Sequence, residues 1–103
     1  MEKIKYIRLN QNNIDIVPSK IIIDDENLSK QDIEKFVIDD DNCCFVGMLE
    51  DRIVAFLYGY GMLRPDGKSM FYIHAVDVLP DYQNNGIGTK LMEYVMNYLK
   101  DEG

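Results

Sequence analysis

Long apolar runs are missing from this sequence. The longest, Ile53 to Leu63, is rich in aromatics and broken by Gly59 and Gly61. It falls well short of the ~20 apolar residues a membrane-spanning helix needs. The opening Met-Glu-Lys-Ile-Lys-Tyr lacks the apolar stretch of a secretory signal, so a cytoplasmic location and no membrane partner are expected. Cysteine is limited to two neighbours, Cys43 and Cys44, and histidine to His74. Adjacent strand residues point to opposite faces, so the two thiols are poor partners for each other, and neither a disulfide framework nor a metal site is expected. Basic residues are in the minority: 11 Lys and Arg against 18 Asp and Glu, a net charge of -7. That balance disfavours sequence-independent nucleic-acid binding and suits a cationic small molecule or basic peptide.

What is present is globular. With 103 residues, 47% hydrophobic and 28% charged, the chain supports one domain over 1–103 and a core of its own. There is no internal repeat and no low-complexity segment. Ile4 to Leu9 reads as a first strand, and Asn10 to Asn13 as a polar break capping a short helix before Pro18. Ile21 to Ile23 is a short apolar run, and Asp24-Asp25-Glu26 after it reads as a solvated loop. Ser29 and Asp32 have capping-box spacing, with Leu28 and Ile33 placed for a hydrophobic staple. Ile33, Phe36 and Val37 then share a helical face that should end near Asp39. Cys43–Leu49 and Ile53–Leu63 form a predicted hairpin turning at Glu50-Asp51-Arg52. Arg64-Pro65-Asp66-Gly67 is a second turn, and Met70–Val78 a third strand ended by Pro80. Gly86 to Lys100 is predicted helical, with Ile87, Leu91, Val95 and Tyr98 in one stripe. The expected fold is mixed α/β: a mostly antiparallel sheet of about four strands with two or three helices.

Chemistry is concentrated between Val76 and Leu91, which runs strand, turn, glycine-containing loop, helix. Free N–H groups at a helix N-terminus attract anions. Gly86 and Gly88 permit close backbone approach, and Gln83, Asn84, Asn85 and Thr89 offer hydrogen bonds. The stretch is a candidate pyrophosphate cradle. It is not a Walker A loop, because Thr89 rather than Lys follows Gly88 and no glycine lies at the required upstream position. Nor is it the dinucleotide fingerprint, because Leu91 stands where a small residue is required.

The stretch resembles motif A of the GNAT superfamily of N-acetyltransferases, Gln/Arg-x-x-Gly-x-Gly/Ala after a strand ending Val-x-Pro. Gln83, Gly86 and Gly88 fill the motif, and Val78-Leu79-Pro80 precedes it. The order strand, helices, three-strand meander, loop and helix also matches. The resemblance implies acetyl-CoA as cosubstrate and a small-molecule or peptide amine as acceptor. It implies backbone pairing of Val76, Asp77 and Val78 with the pantetheine arm, and an oxyanion donor at the Val78 N–H. It also implies a pyrophosphate cradle of backbone N–H groups over Asn84, Asn85, Gly86, Ile87, Gly88 and Thr89. Phe71-Tyr72-Ile73-His74 is similar to a stretch of aminoglycoside 3-N-acetyltransferases, which carry aspartate where Ala75 stands here.

The sequence departs from the family at two points. Asn84 and Asn85 occupy positions that usually carry Arg or Lys, so modest CoA affinity is expected. Family members also continue beyond this helix into a fifth strand, a fourth helix and a hairpin, so the C-terminal part of the fold is expected to be missing after Gly103. The alternative to an enzyme is a non-catalytic CoA-binding or interaction module completed through its sheet edge by another chain, a homodimer included. Among acid–base candidates, His74 has the ring that titrates near neutral pH, set against a packed strand histidine. Asp77 is a candidate for contacting the amine, set against a carboxylate that caps the loop. Tyr72 stands where some histone-type members carry a catalytic glutamate. Tyr58, Tyr60, Met62 and Met70 read as core first and as an acceptor pocket second.

Overall fold

The structure, a computed structural model, describes residues 3–23, 26–63, 65–67 and 69–102. In chain order these form β1 (Lys5–Arg8), β2 (Lys20–Ile23), β3 (Glu26–Ser29), α1 (Lys30–Val37), β4 (Asn42–Leu49), β5 (Arg52–Leu63), β6 (Ser69–Val78) and α2 (Ile87–Glu102). Short 3-10 turns occupy Ile14–Ile16 and Pro80–Tyr82. The main sheet is antiparallel throughout, in the order β1-β4-β5-β6. It is therefore the expected meander, with the first strand added at one edge and β6 at the other. No helix among the described residues is long and apolar enough to cross a membrane.

Local signals account for the helices. The Ser29 hydroxyl accepts from Asp32 N at 3.1 Å, so the N-cap stands as expected. The last turn of α1 is closed by Asn42, whose Nδ2 donates to the Phe36 carbonyl at 3.0 Å. Asp39 accepts from Asp41 N at 2.9 Å, a side-chain turn that stops the helix. Upstream, the Asn10 side chain accepts from Asn12 N and Asn13 N and closes the polar turn that leads into the first 3-10 turn, which itself has no side-chain cap.

One segment differs from the sequence reading. Ile21–Ile23 is half of a second, two-stranded sheet in which β2 pairs with β3 and Ile21 faces Leu28. Ile21 is buried, and Leu28 packs against the same core. Strands of four residues are too short to show a period, and Leu28 and Ser29 also carry the helix signal. Asp24 and Asp25 of the expected loop, and Arg64 of the expected turn, lie outside the described residues.

The sheet separates two cores. On the α1 side, Leu9, Ile33, Val37, Cys44, Val46 and Phe56 pack together. On the α2 side, Phe45, Ala55, Leu57, Ile87, Leu91 and Val95 do so. Each of the buried Val, Leu, Ile and Phe side chains contributes roughly 1.5–3 kcal/mol by burial. Cys43 and Cys44 fall on opposite sides, as adjacent strand residues must.

The β5–β6 ladder slips once. Tyr58 faces Ala75, but Gly59 faces Ile73, so His74 is an extra residue in β6 and makes a bulge. Phe71 and Ile73 pack toward α2, and so does Val78. An odd separation of five residues can share a face only if a bulge intervenes. Asp77, opposite Phe56, consequently turns to the α1 side. Gly59 is what permits the close approach: a Cβ there would stand 2.1 Å from the Tyr72 carbonyl oxygen.

Two outcomes follow. Gly59→Ala should destabilise the fold by about 1–3 kcal/mol, the usual cost of forcing in a methyl group, read as a lower denaturant midpoint; an unchanged midpoint would contradict the contact. Burial pushes both thiols above their ordinary range, Cys44 furthest. A raised folded-state value contributes stability below the ordinary thiol value of 9.0 that is lost as pH rises past it. Thiol-reactive reagents should therefore label the native protein slowly and the unfolded chain at once, and fast native labelling would contradict this.

Candidate cofactor and active site

After Val78 the chain is fixed before it turns. Leu79 N donates to the Val54 carbonyl at 2.9 Å, and Tyr82 N to the Leu79 carbonyl at 2.8 Å. Proline at the first position presets the 3-10 turn, and the Arg52 guanidinium lies 5.7 Å from the Tyr82 ring centre. The Gln83 side-chain amide then reaches back and donates to the Val78 carbonyl at 3.0 Å. Gln83 thus pins the loop to the end of β6. Asn84 and Gly86 follow in the left-handed region, at φ 67 and 76, which Asn tolerates and Gly adopts freely.

These two left-handed residues swing the chain into α2. Its first ladder bond runs from Lys90 N to the Gly86 carbonyl at 3.0 Å, so the N–H groups of Ile87, Gly88 and Thr89 precede the ladder. They carry the positive end of the helix dipole. Gln83, Asn84, Asn85, Gly86, Thr89 and Lys90 are exposed around them, and a Cβ on Gly86 would meet nothing within 4 Å. Gly88 sits over Val78, where a Cβ would approach Val78 Cγ2 at 3.5 Å. The mouth of the helix is open, polar and positive, and the residues fit a diphosphate there.

The adjoining edge of the sheet is open as well. β6 ends the strand order, and no described strand pairs with its outer side. Backbone groups alternate along a strand. Leu79 N points to β5, so the carbonyl and N–H of Val78 point outward, and those of Val76 with them. The Gln83 amide on the Val78 carbonyl lies on this outer side. Val76 is 38% exposed. Val76, Val78 and the loop therefore form one continuous strip of backbone donors and acceptors.

His74 and Asp77 lie on the α1 face of the same strand. At a strand rise of ~3.3 Å per residue they are about 10 Å apart along it. His74 is exposed on the bulge, its ring stacked on Tyr58 at 5.1 Å and edge-on to Tyr60 and Tyr72 at 6.1 and 6.2 Å. Asp77 is half-buried. The structure thus brings the Val78 backbone and the loop to one edge, with His74 and Asp77 beside it on one face. Sequence reasoning missed Gly59, which makes the bulge, and the inward use of Gln83. Glycine inside an aromatic strand is the signal that flags such a bulge.

An antiparallel meander, a bulged edge strand and a glycine loop leading into a long helix are the elements of this fold. Residues 12–103 match the model of the acetyltransferase (GNAT) family. The chain belongs to this family and is an acyltransferase. No curated protein matches the sequence. Among solved structures, an aminoglycoside acetyltransferase from an uncultured soil metagenomic sample, in complex with sisomicin, superposes with TM-score 0.77 at 23% identity, covering 97% of this chain and 72% of that one. A ribosomal-protein-alanine N-acetyltransferase from Brucella melitensis biovar Abortus does so with TM-score 0.72 at 14% identity, over 96% and 73%. An aminoglycoside N-acetyltransferase, AAC(6')-Iy in complex with CoA, gives TM-score 0.73 at 15% identity, over 100% and 73%. At these identities the likeness is one of fold.

Gly86→Glu should abolish heat of binding in a calorimetric titration with CoA; the side chain meets no neighbour, but the left-handed backbone at φ 76 strains any side chain, so the melt should stay cooperative at a cost of about 1–2 kcal/mol. Gln83→Ala should weaken CoA several-fold by freeing the loop, in line with the ~1 kcal/mol of one hydrogen bond. Wild-type affinity in both variants would contradict the cradle.

Proposed function

We propose that this chain transfers acetyl from acetyl-CoA to a primary amine, by direct attack within a ternary complex. The observation that carries the reading is the continuity of the helix mouth at Ile87–Thr89 with the outward-facing backbone of Val76 and Val78. Acetyl-CoA supplies an acetyl group activated as a thioester. Asn84, Asn85, Gly86, Ile87, Gly88 and Thr89 offer N–H groups to the pyrophosphate, and Gln83 holds their loop in place. Val76 and Val78 offer the strand edge to the pantetheine arm, as an added strand would use it, while Asp77, included in the expected pairing, turns its backbone groups to β5 as Leu79 does. The Val78 N–H donates where negative charge develops on the acyl oxygen. The proton of an incoming ammonium has to be removed before attack and one returned to the departing thiolate. His74 is the residue assigned to take the first proton, and Asp77, on the same face, draws the cation in.

The aminoglycoside acetyltransferases among the structural neighbours and the net charge of -7 support a small, cationic amine as acceptor. The absence of charge at Asn84 and Asn85 supports modest rather than tight CoA binding. A second reading is favoured by the ten-residue open edge of β6: a CoA-binding or interaction module that takes a strand from another chain, including a copy of itself.

The experiment is release of free thiol from acetyl-CoA with and without a panel of primary amines. Amine-dependent release that is lost in Gly86→Glu and strongly reduced in His74→Ala is expected. CoA binding with no amine-dependent release would favour the second reading.

A further inference from the structure

The start of α2 has a second neighbour besides the open edge of β6. On its other side, toward β1, lies a cavity of about 560 Å³, within the ~300–1,000 Å³ of small-molecule sites. Asn85, Ile87 and Lys90 line it from the helix start, Lys3 and Tyr6 from the first segment of the chain, and Tyr82 from the 3-10 turn. Neither Val76 nor Val78 borders it. Two cations meet at this cavity in a chain with only 11 basic residues against 18 acidic ones. Lys3 and Lys90 are both exposed, and among the described residues neither forms an ion pair. The Tyr6 ring is held by stacking on Tyr94, with centres at 6.0 Å, yet its hydroxyl oxygen is buried without a hydrogen-bond partner. Buried polar groups are ordinarily partnered, so an orphaned hydroxyl beside a cavity calls for an acceptor inside it. Burial, reinforced by the Glu93 carboxylate, pushes the phenol up, which keeps it protonated and a donor. Ile4, Leu49 and Ile87, with the Tyr82 ring, give the walls an apolar surface suited to a flat ring.

We infer that this cavity seats the nucleotide end of the cosubstrate, the adenine with its 3'-phosphorylated ribose, and that Lys3 and Lys90 supply charge that Asn84 and Asn85 do not. This rests on the CoA reading above and deepens it. A molecule with its diphosphate on the Ile87–Thr89 N–H groups and its arm along Val76 and Val78 has one end left over. The cavity adjoins the helix mouth, shares Asn85 and Ile87 with it, and lies on the side away from that strand edge. The lysines recognise the 3'-phosphate through charge-assisted contacts. The apolar walls cover the purine, and the Tyr6 hydroxyl donates to an acceptor atom of the nucleotide. Recognition of this end of CoA is thus built outside the glycine loop, by one residue near the start of the chain and one on the helix.

The test is calorimetry at physiological salt, so that loose attraction is screened, with three probes: CoA, 3'-dephospho-CoA and adenosine 3',5'-bisphosphate. CoA should bind about tenfold more tightly than 3'-dephospho-CoA. Lys3→Gln and Lys90→Gln should each weaken CoA by about three- to tenfold, as loss of a hydrogen bond to a charged group does, and leave 3'-dephospho-CoA within about twofold of native. The double variant should bind the two ligands alike. Tyr6→Phe should weaken both while melting no lower than the native protein, because it removes a hydroxyl that has no partner in the free chain. Equal native affinity for CoA and 3'-dephospho-CoA, or lysine variants that weaken both to the same degree, would overturn the inference and leave the CoA reading standing. Failure of the folded chain to bind any of the three would overturn both. Binding of the bisphosphate that depends on the two lysines, in a chain that shows no amine-dependent thiol release, would remove the acetyl-transfer reading and support the nucleotide seat.

Discussion

The contact on which the rest of this structure turns is the backbone of Tyr72 pressed against Gly59. No other residue type leaves room for it, since a Cβ would stand 2.1 Å from the Tyr72 carbonyl oxygen. The approach is the place where β6 gains one residue on β5. Before the slip, Phe71 and Ile73 face α2; after it, Val78 does. A regular strand would have turned Val78 away from α2 and Asp77 toward it. The bulge therefore decides three things together: where α2 can seat, which way the Val78 backbone points, and that His74 stands clear on the opposite face.

From that contact the site assembles by ordinary packing. Val78 is a floor for Gly88 and Ile87, so the start of α2 lies against the end of β6. The dipole of a 16-residue helix is thereby aimed at the corner where the strand edge opens. The loop between them is short and restrained at both ends, by Leu79 on Val54 and by the Gln83 amide on Val78. An anion at the helix mouth and an extended chain on the strand edge would meet surfaces already formed, which lowers the ordering cost of binding. Tyr58, Tyr60, Tyr72 and His74 stack on the α1 face of the β5–β6 hairpin, the face turned away from α2.

Much of this was legible in the sequence, for reasons particular to each element. The meander was legible because β-branched and aromatic residues fill its strands and charged or Pro-Gly turns separate them. The amphipathic stripe of α2 and the Ser29 cap were legible because they follow fixed spacings. The loop-to-helix junction was legible because glycines and amides precede a helical stripe, and the match of residues 12–103 to the acetyltransferase family agrees with the resemblance drawn from it. The β2–β3 hairpin was not legible, because its burial rests on a partnership of Ile21 with Leu28 that four-residue strands do not announce. The inward turn of Gln83 was hidden for a similar reason: a polar side chain in a ligand loop reads as a ligand contact until the carbonyl it serves is seen. The face of Asp77 depended on the bulge, and the bulge on a close approach between strands, which leaves in the sequence only a glycine where a side chain was expected.

The central claim is that the bulged strand edge and the helix mouth form one site for CoA. The most direct measurement is a two-dimensional 1H–15N NMR titration of the labelled chain with CoA. The account predicts amide shifts concentrated at Gly86–Thr89 and at Val76 and Val78, with the β2–β3 hairpin unmoved. Shifts that leave the Ile87–Thr89 amides untouched, or that gather on another part of the molecule, would contradict it.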